Sequence, residues 1–529
     1  MIEIANPLSS YKEFPGPILI LAGPGTGKTH QLAMRVKFLL HDLNVKPEEI
    51  AIITFTNQAA RNMRERLLKE DIDLPSDRLP HVISTMHSLG NTILGSRPEM
   101  FGLAQEYHVL TDLYLRSILI QDAAAISVGD RAKWQITDEC RRNGNCQEEP
   151  ESEKCQICAI YRKILRKCST VDYDDQIFLA CQAISNDDAL AEEWRAKTRY
   201  LLVDEYQDIN HAQYELISLL TQGQTDGLFA VGDDDQSIYS FRGGSPKYIR
   251  DFADHFEGEV KIGRLSKSWR CPEHILKGAR GVVNKYYSGS VAKPPPTFSE
   301  TIEHNCKIKF LDVPSDTWEA NIIADNIAKL IAENRIIVII PYSNYFPLIR
   351  DALRRKRIPY RYKTSPAEDG IIRFTIIADW AENPKDSLLL RHFIELIIQN
   401  YNDLTKSINE EEIGIKEKRV TASDMIASLW EYVEPNSYLF DVIEFQSAAT
   451  ERIPFWKMLK EECLDATLSL LDEHGGERSH LPEFLRQTGL MVAPGRNPNR
   501  IISEIREWRN EVFDDTGRSC RACLAYFVA

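Results

Sequence analysis

The sequence predicts an α/β fold: parallel sheets flanked by helices, with mostly helical insertions. Three observations predict it. Short apolar runs at Ile18–Leu21, Ile50–Thr54, Tyr200–Val203 and Leu228–Val231 have the continuous hydrophobicity of strands buried on both faces. Helical patterns alternate with them; after the first run, Leu32, Val36, Leu39 and Leu40 fall on one face. Each run also leads into a polar turn rich in chemically useful side chains. In such sheets ligands gather at the carboxyl ends of the strands.

The first run opens into Ala22-Gly23-Pro24-Gly25-Thr26-Gly27-Lys28-Thr29. Strand, glycine-rich turn and helix form the context of a phosphate-binding loop. Glycines let the backbone close around phosphates with successive N–H groups pointing inward, and the helix adds its positive end. Lys28 is expected to reach the β- and γ-phosphates, and Thr29 to ligate Mg²⁺. Ala22 departs from the strict pattern, which begins with glycine.

The second run continues into Phe55-Thr56-Asn57 and a helix over Gln58–Leu68; a third strand, Val82–Ser84, precedes Thr85-Met86-His87-Ser88. Tyr200–Val203 ends in Asp204-Glu205-Tyr206-Gln207-Asp208. A carboxylate pair there, downstream of a phosphate loop, has a specific use. Asp204 would hold the Mg²⁺ and Glu205 would orient and deprotonate the attacking water. Gln236, after Leu228–Val231, is placed to sense the γ-phosphate. Alone, Asp204 and Glu205 could merely cap a helix.

The composition narrows the classes. The chain has 529 residues, 43% hydrophobic and 27% charged, which suits several globular domains and excludes a disordered chain. With a net charge of −14, any nucleic-acid binding must rely on local basic strips and stacking. Arg354–Arg357 and Lys416–Arg419 could track phosphates in this way or be solvated helix faces. No apolar run nears the roughly 20 residues of a membrane span, and the N-terminus lacks a signal pattern, so a cytoplasmic protein is expected. Eleven irregularly spaced cysteines do not make a disulfide framework. Cys140, Cys146, Cys155 and Cys158 lie within one short stretch; they suit a tetrahedral Zn²⁺ site or an iron–sulfur cluster, or are ordinary reduced thiols.

Ala22–Thr29, Thr54–Met63, Thr85–Ser88, Val171–Asp175, Asp204–Asp208, Gly232–Gly244 and Ser268–Arg270 stand in one order. This ordered set resembles that of UvrD/Rep-type superfamily 1 DNA helicases. The resemblance is close over about residues 18–275 and looser to about 390. It implies RecA-like P-loop NTPase domains, ATP and Mg²⁺ as cofactors, and ATP-driven 3′-to-5′ movement on single-stranded DNA, in repair or recombination. It also implies single-stranded DNA and single-/double-strand junctions as partners. Carried over by position, Arg270 would reach the γ-phosphate and Trp269 would stack on the adenine. Phe55, Asn57, His87, Tyr239, Phe241 and Arg242 would contact DNA, where aromatic faces suit unpaired bases of any sequence.

The same resemblance divides the chain. Residues 1–96 and 187–280 would form the first motor domain and 97–186 a helical insertion holding the cysteines. Residues 281–392 would be part of a second motor domain, with strands at Lys307–Leu311 and Arg335–Ile340 and helices at Thr317–Glu333 and Tyr345–Lys356. Residues 393–529 would be its helical insertion. The glutamine that reads adenine in the family has no counterpart before Ile18, and the last two motor motifs, with their second arginine, are missing. The chain is therefore expected to be the N-terminal part of a longer helicase or the product of an interrupted reading frame. The alternative to a working helicase is then a protein that binds ATP and single-stranded DNA without unwinding.

Overall fold

The computed structural model describes most of residues 16–360 and a smaller set between 380 and 443. The chain forms two compact units, one of residues 1–306 with 423–436, the other of residues 307–422 with 437–529.

The first unit is built on a six-stranded parallel sheet. Its strands are β1 (Ile18–Ala22), β2 (Ile50–Thr54), β3 (Val82–Thr85), β6 (Tyr200–Val203), β7 (Phe229–Gly232) and β8 (Lys261–Leu265). The spatial order is β3-β2-β6-β7-β1-β8. Between β3 and β6 the chain forms β4 (His108–Leu110) and β5 (Thr170–Asp172), a separate parallel pair with Val109 opposite Val171.

Apolar runs become strands here because both sheet faces are covered. Ile18, Ile20 and Ala22 of β1 enter one core cluster; Leu19 and Leu21 enter the other. The alternation repeats in β2, β6 and β7, as period-two geometry requires. Helices α1 (Lys28–His41) and α2 (Asn57–Leu67) cover one face through Leu32, Val36, Leu39 and Met63. On the other, α3 (Met86–Leu94) contributes Leu89 and Ile93.

The inserted block carries α4 (Leu113–Ser127), α5 (Glu139–Asn143), α6 (Glu153–Lys167) and α7 (Asp175–Asn186). α7 packs Ile177, Ala180, Cys181 and Ile184 into the core under the sheet, beside α8 (Asp188–Lys197) and α9 (His211–Thr221). Arg141 is buried and pairs with Asp172 and, at 3.0 Å, with Asp175. Trp430, far along the chain, is buried here too; its indole N–H donates to Asp122 Oδ2 at 2.8 Å. The first unit continues through α10 (Lys247–Arg250), β9 (Lys267–Ser268), α11 (Glu273–Tyr286) and β10 (Thr297–Phe298), which pairs in parallel with β9.

The second unit contains α12 (Asp316–Leu330) and α13 (Phe346–Arg355), packed through Ala320, Ala324 and Ile327 against Ile349, Ala352 and Leu353. Both helices lie where the periodicity puts them. The two strands expected beside them do not form among the described residues. Positions 310–311 and 336–340 carry no strand, and Ile337 and Ile339 are 85% and 90% exposed. A strand needs a paired neighbour for its backbone groups, and among the described residues none lies beside them. Residues 307–309 and 335 lie outside the described residues. At the basic run that ends α13, Lys356 pairs with Asp325 at 2.5 Å and Arg355 with Asn321 at 3.1 Å. Lys416–Arg419 lies outside the described residues. Among the described residues no helix is long and apolar enough to cross a membrane.

Leu202 sits in the middle of the sheet at 0% exposure. Leu202→Ala should destabilise the first unit by about 2–5 kcal/mol, read as a lower urea midpoint followed by a probe within that unit.

Candidate nucleotide site and aromatic groove

The loops that follow β1, β6 and β7 converge at the carboxyl end of the sheet. After β1 the chain turns tightly: Thr26 donates to the Gly23 carbonyl from its N–H at 3.3 Å and from Oγ1 at 2.8 Å. Gly25 and Gly27 have φ of +71° and +99°, the left-handed region that glycine tolerates. Gly25 is needed for a second reason. A Cβ there would stand 2.6 Å from Arg270 Cβ. The Trp269 N–H donates to the Gly25 carbonyl at 2.9 Å, and Ser268 Oγ to the Pro24 carbonyl at 3.3 Å. The segment carrying Trp269 and Arg270 is thus bonded directly to the glycine loop.

A cavity of about 930 Å³ lies over this loop, lined by Gly23–Gln31, Glu205, Gln236, Lys267, Trp269 and Arg270. The Trp269 ring is 58% exposed, with the Lys267 ammonium 4.2 Å from its centroid. At the far wall, Arg66 Nη2 lies 2.8 Å from His30 Nδ1. The cradle is shaped for phosphates: glycine where a side chain would collide, a helix N-terminus behind it, and Lys28 at the rim.

The β6 turn supplies the acidic half. Glu205 takes φ +50° and ψ +47°, a left-handed conformation unusual for a glutamate. Such strain persists only where surrounding contacts hold it. Here the Asp204 N–H donates to the Ile53 carbonyl at 2.8 Å, and the Glu205 N–H donates to Asp204 Oδ1 at 3.0 Å. Glu205 Oε2 accepts from Lys28 Nζ at 2.8 Å and from Gln207 Nε2 at 3.0 Å. Burial, then the adjacent Glu205 charge, pushes Asp204 up to about 7 against the pull of Lys28. A carboxyl penalised by burial in this way, next to Glu205 at the wall of the phosphate cavity, fits a divalent cation, which would offset that charge.

Gln207 joins this turn to the next. It is 1% exposed; Nε2 also donates to Asp208 Oδ2 at 2.9 Å, and Oε1 accepts from the Asp233 N–H at 2.9 Å. Gly232 makes room for it, since a Cβ there would lie 2.6 Å from Gln207 Oε1. Asp233 Oδ2 then accepts from Gln236 Nε2 at 2.6 Å. One hydrogen-bonded chain therefore runs from Lys28 through Glu205, Gln207 and Asp233 to Gln236. The sequence reading did not single out Gln207, although an amide spaced between two acids in DEYQD was its signal.

On the other side of Glu205 lies a groove of about 480 Å³. It is lined by Phe55, His87, Arg116, Arg142, Tyr173 and Arg242, together with Asp204, Glu205 and Asp208. Beside it, Phe55 and Tyr239 have ring centroids 4.3 Å apart, and Tyr239 and Phe241 5.9 Å. Arg242 Cζ lies 5.7 Å and 5.6 Å from the Tyr239 and Phe241 centroids. Asn57 is exposed at the start of α2, whose N-cap Thr56 accepts from the Ala59 N–H at 3.0 Å. His87 stacks on Tyr173 at 3.7 Å. The structure thus brings Phe55, His87, Tyr239, Phe241 and Arg242 together at or beside this groove, leaves Asn57 exposed two residues after Phe55, and adds Tyr173, whose signal is its place within Val171–Asp175. Burial, with Arg142 and Arg242 nearby, pushes His87 down to about 3.

Of the clustered cysteines, Cys140 and Cys158 lie within hydrogen-bond reach of each other. The Cys140 thiol is lowered to about 6, chiefly by a hydrogen bond from Cys158, and Arg141 and Arg162 lie close by. Cys146 lies outside the described residues. Among the described residues the metal-ligand side chains that gather in threes are Asp233, Asp234 and Asp235 alone, with no thiol among them.

The family model for the UvrD/REP helicase N-terminal domain matches residues 6–257. That stretch belongs to the UvrD/REP helicase family and carries both the glycine loop and the β6 and β7 turns. The chain is 32% identical over 362 residues to the ATP-dependent DNA helicase PcrA of Leuconostoc citreum, covering 65% of this chain and 46% of the relative. It is 29% identical over 378 residues to the ATP-dependent DNA helicase Rep of Escherichia coli, covering 65% and 53%. It spans about half the length of these curated relatives.

Two outcomes check the site. Gly25→Ala adds left-handed strain of about 1–2 kcal/mol besides the clash with Arg270, so nucleoside triphosphate affinity should fall about tenfold or more in a fluorescent-nucleotide titration, with the fold kept. His87 is neutral when folded and titrates near 6.5 when unfolded, so the unfolded state binds more protons as pH falls below 6.5. Thermal stability should therefore drop between pH 7 and 5, and His87→Asn should flatten that drop.

Proposed function

We propose that this chain is an ATP-driven motor on single-stranded DNA, a helicase or translocase stepping 3′ to 5′, active at single-/double-strand junctions in repair or recombination. One observation carries the reading: Glu205 borders both the phosphate cradle and the aromatic groove. A group at that position feels both ligands. The names of the relatives, each an ATP-dependent DNA helicase, support turnover over nucleotide and DNA binding without unwinding.

In this reading the N–H groups of residues 23–29 and the Lys28 ammonium hold the phosphates of ATP. Thr29 and Asp204 would hold Mg²⁺, whose charge would offset that of the phosphates. Phosphate oxygens compete with Glu205 for Lys28, and the released carboxylate orients and deprotonates the attacking water. Gln236 senses the γ-phosphate from the β7 turn, and Arg270 adds positive charge as the phosphoryl group departs. Trp269 offers its face to the base. Phe55, Tyr239, Phe241 and His87 stack with unpaired bases, while Asn57 and Arg242 bond the backbone; Tyr173 joins them through His87. Stacking of about 1–3 kcal/mol per base is insensitive to sequence, which stepping along DNA requires.

The proposed division is two RecA-like motor regions, residues 1–96 with 187–280 and residues 281–392, with helical insertions at 97–186 and 393–529. Cys140, Cys146, Cys155 and Cys158 would supply the ligands of a structural zinc or iron–sulfur centre; elemental analysis finding one metal equivalent per chain would establish that use, and finding none would overturn it.

The deciding experiment is ATP turnover by the purified chain with and without single-stranded DNA. DNA should stimulate it, and Glu205→Gln should lower turnover by about 10²–10³-fold while nucleotide binding persists. Equal turnover in the Glu205→Gln protein would overturn the assignment.

A further inference from the structure

Lys293 lies outside every motif of the sequence and beyond the residues matched by the family model. Its ammonium nevertheless stands among three consecutive carboxylates. It is 2.7 Å from Asp234 Oδ1, 2.6 Å from Asp235 Oδ2, and paired with Asp233 Oδ1. Asp233 and Asp234 are each 1% exposed. Carboxylates this deep remain ionised only beside compensating charge or donors. Asp234 has two further partners, Arg250 Nε at 3.3 Å and the Val291 N–H at 2.8 Å.

The three acids offer oxygens within 4.8 Å of one another, the spacing of a divalent-cation site. Lys293 supplies the cation instead, and the cage it fills is wired to the nucleotide site. The second oxygen of Asp233 accepts from Gln236 Nε2 at 2.6 Å, and the Asp233 N–H donates to Gln207, which in turn holds Glu205. Lys293 is itself anchored: its carbonyl accepts from Arg280 Nη2 at 3.0 Å. Four residues later the chain pairs Thr297–Phe298 with Lys267–Ser268, just before Trp269 and Arg270. One strap therefore touches the β7 turn and the segment bonded to the glycine loop.

We infer that Lys293 is a positioning residue whose ammonium is the permanent counter-ion of Asp233–Asp235, keeping divalent cations out of that cage and fixing the Asp233 carboxylate that aims Gln236. The part concerning turnover rests on the function proposed above; the exclusion of cations does not. Without the ammonium, three adjacent acids would gather Mg²⁺ away from Thr29 and Asp204, and Gln236 would lose its fixed acceptor.

The test is Lys293→Gln in the full chain, read first by Mn²⁺ binding without nucleotide, using electron paramagnetic resonance. The variant should bind one more Mn²⁺ per chain than the parent, and Lys293→Arg should not. If Lys293→Gln fails to fold, millimolar Mn²⁺ should restore folding by filling the cage, as a ligand specific to the native state does. A folded variant with the parent's Mn²⁺ count, or an unfolded one that Mn²⁺ cannot rescue, overturns the inference. ATP turnover is the second readout. The kcat should fall about ten- to a hundredfold, as misplacement of an aligned group does, with KM near the parent value. An unchanged kcat in a variant that has gained Mn²⁺ would overturn the positioning role. A parent chain that does not hydrolyse ATP would count against the proposed function, while the Mn²⁺ count would still judge the cage.

Discussion

Glu205 has one carboxylate and two claims on it. Lys28 and Gln207 both donate to Oε2, at 2.8 and 3.0 Å, and the backbone beneath is held in a left-handed turn. The surrounding architecture makes that possible. The buried β6 strand ends there, the neighbouring β2 carbonyl of Ile53 anchors Asp204, and Gly232 leaves space for the Gln207 amide. A parallel sheet is well suited to this, because every strand delivers its loop to the same end. The phosphate cradle and the aromatic groove become neighbours because β1, β6 and β7 are neighbours.

The strands of the first unit were legible because strands buried on both faces are continuous apolar runs; Ile18–Ala22 and Tyr200–Val203 have no polar residue to confuse the period. The site was legible for a different reason. Phosphate cradles and strand-end acids demand particular residues at fixed local spacing, and local spacing is what a sequence displays. β4 and β5 escaped notice because three residues carry too little pattern. At positions 336–340 an apolar run read as a strand is mostly exposed, since burial depends on neighbours elsewhere in the chain.

Contacts between distant positions were not legible. Lys293 and Asp233 are 60 residues apart, and Trp430 and Asp122 are 308 apart. Neither pair has a spacing rule, and each residue alone reads as an ordinary surface lysine, a strand-end acid or a core aromatic. Gln207 is intermediate. It stands inside a conspicuous motif, but its role appears only when Gly232 and Asp233 are brought beside it.

The aromatic side of the sheet end has one further consequence. Phe55, Tyr239 and Phe241 already rest on one another, and Arg242 already lies over two of those rings. On the function proposed above, an unpaired base entering there would have to part rings that already touch, so its net gain would be the difference between two stacked arrangements. Each base would then be held lightly and could pass from ring to ring without a deep well at any one of them. Self-stacking of this kind would act as a lubricant.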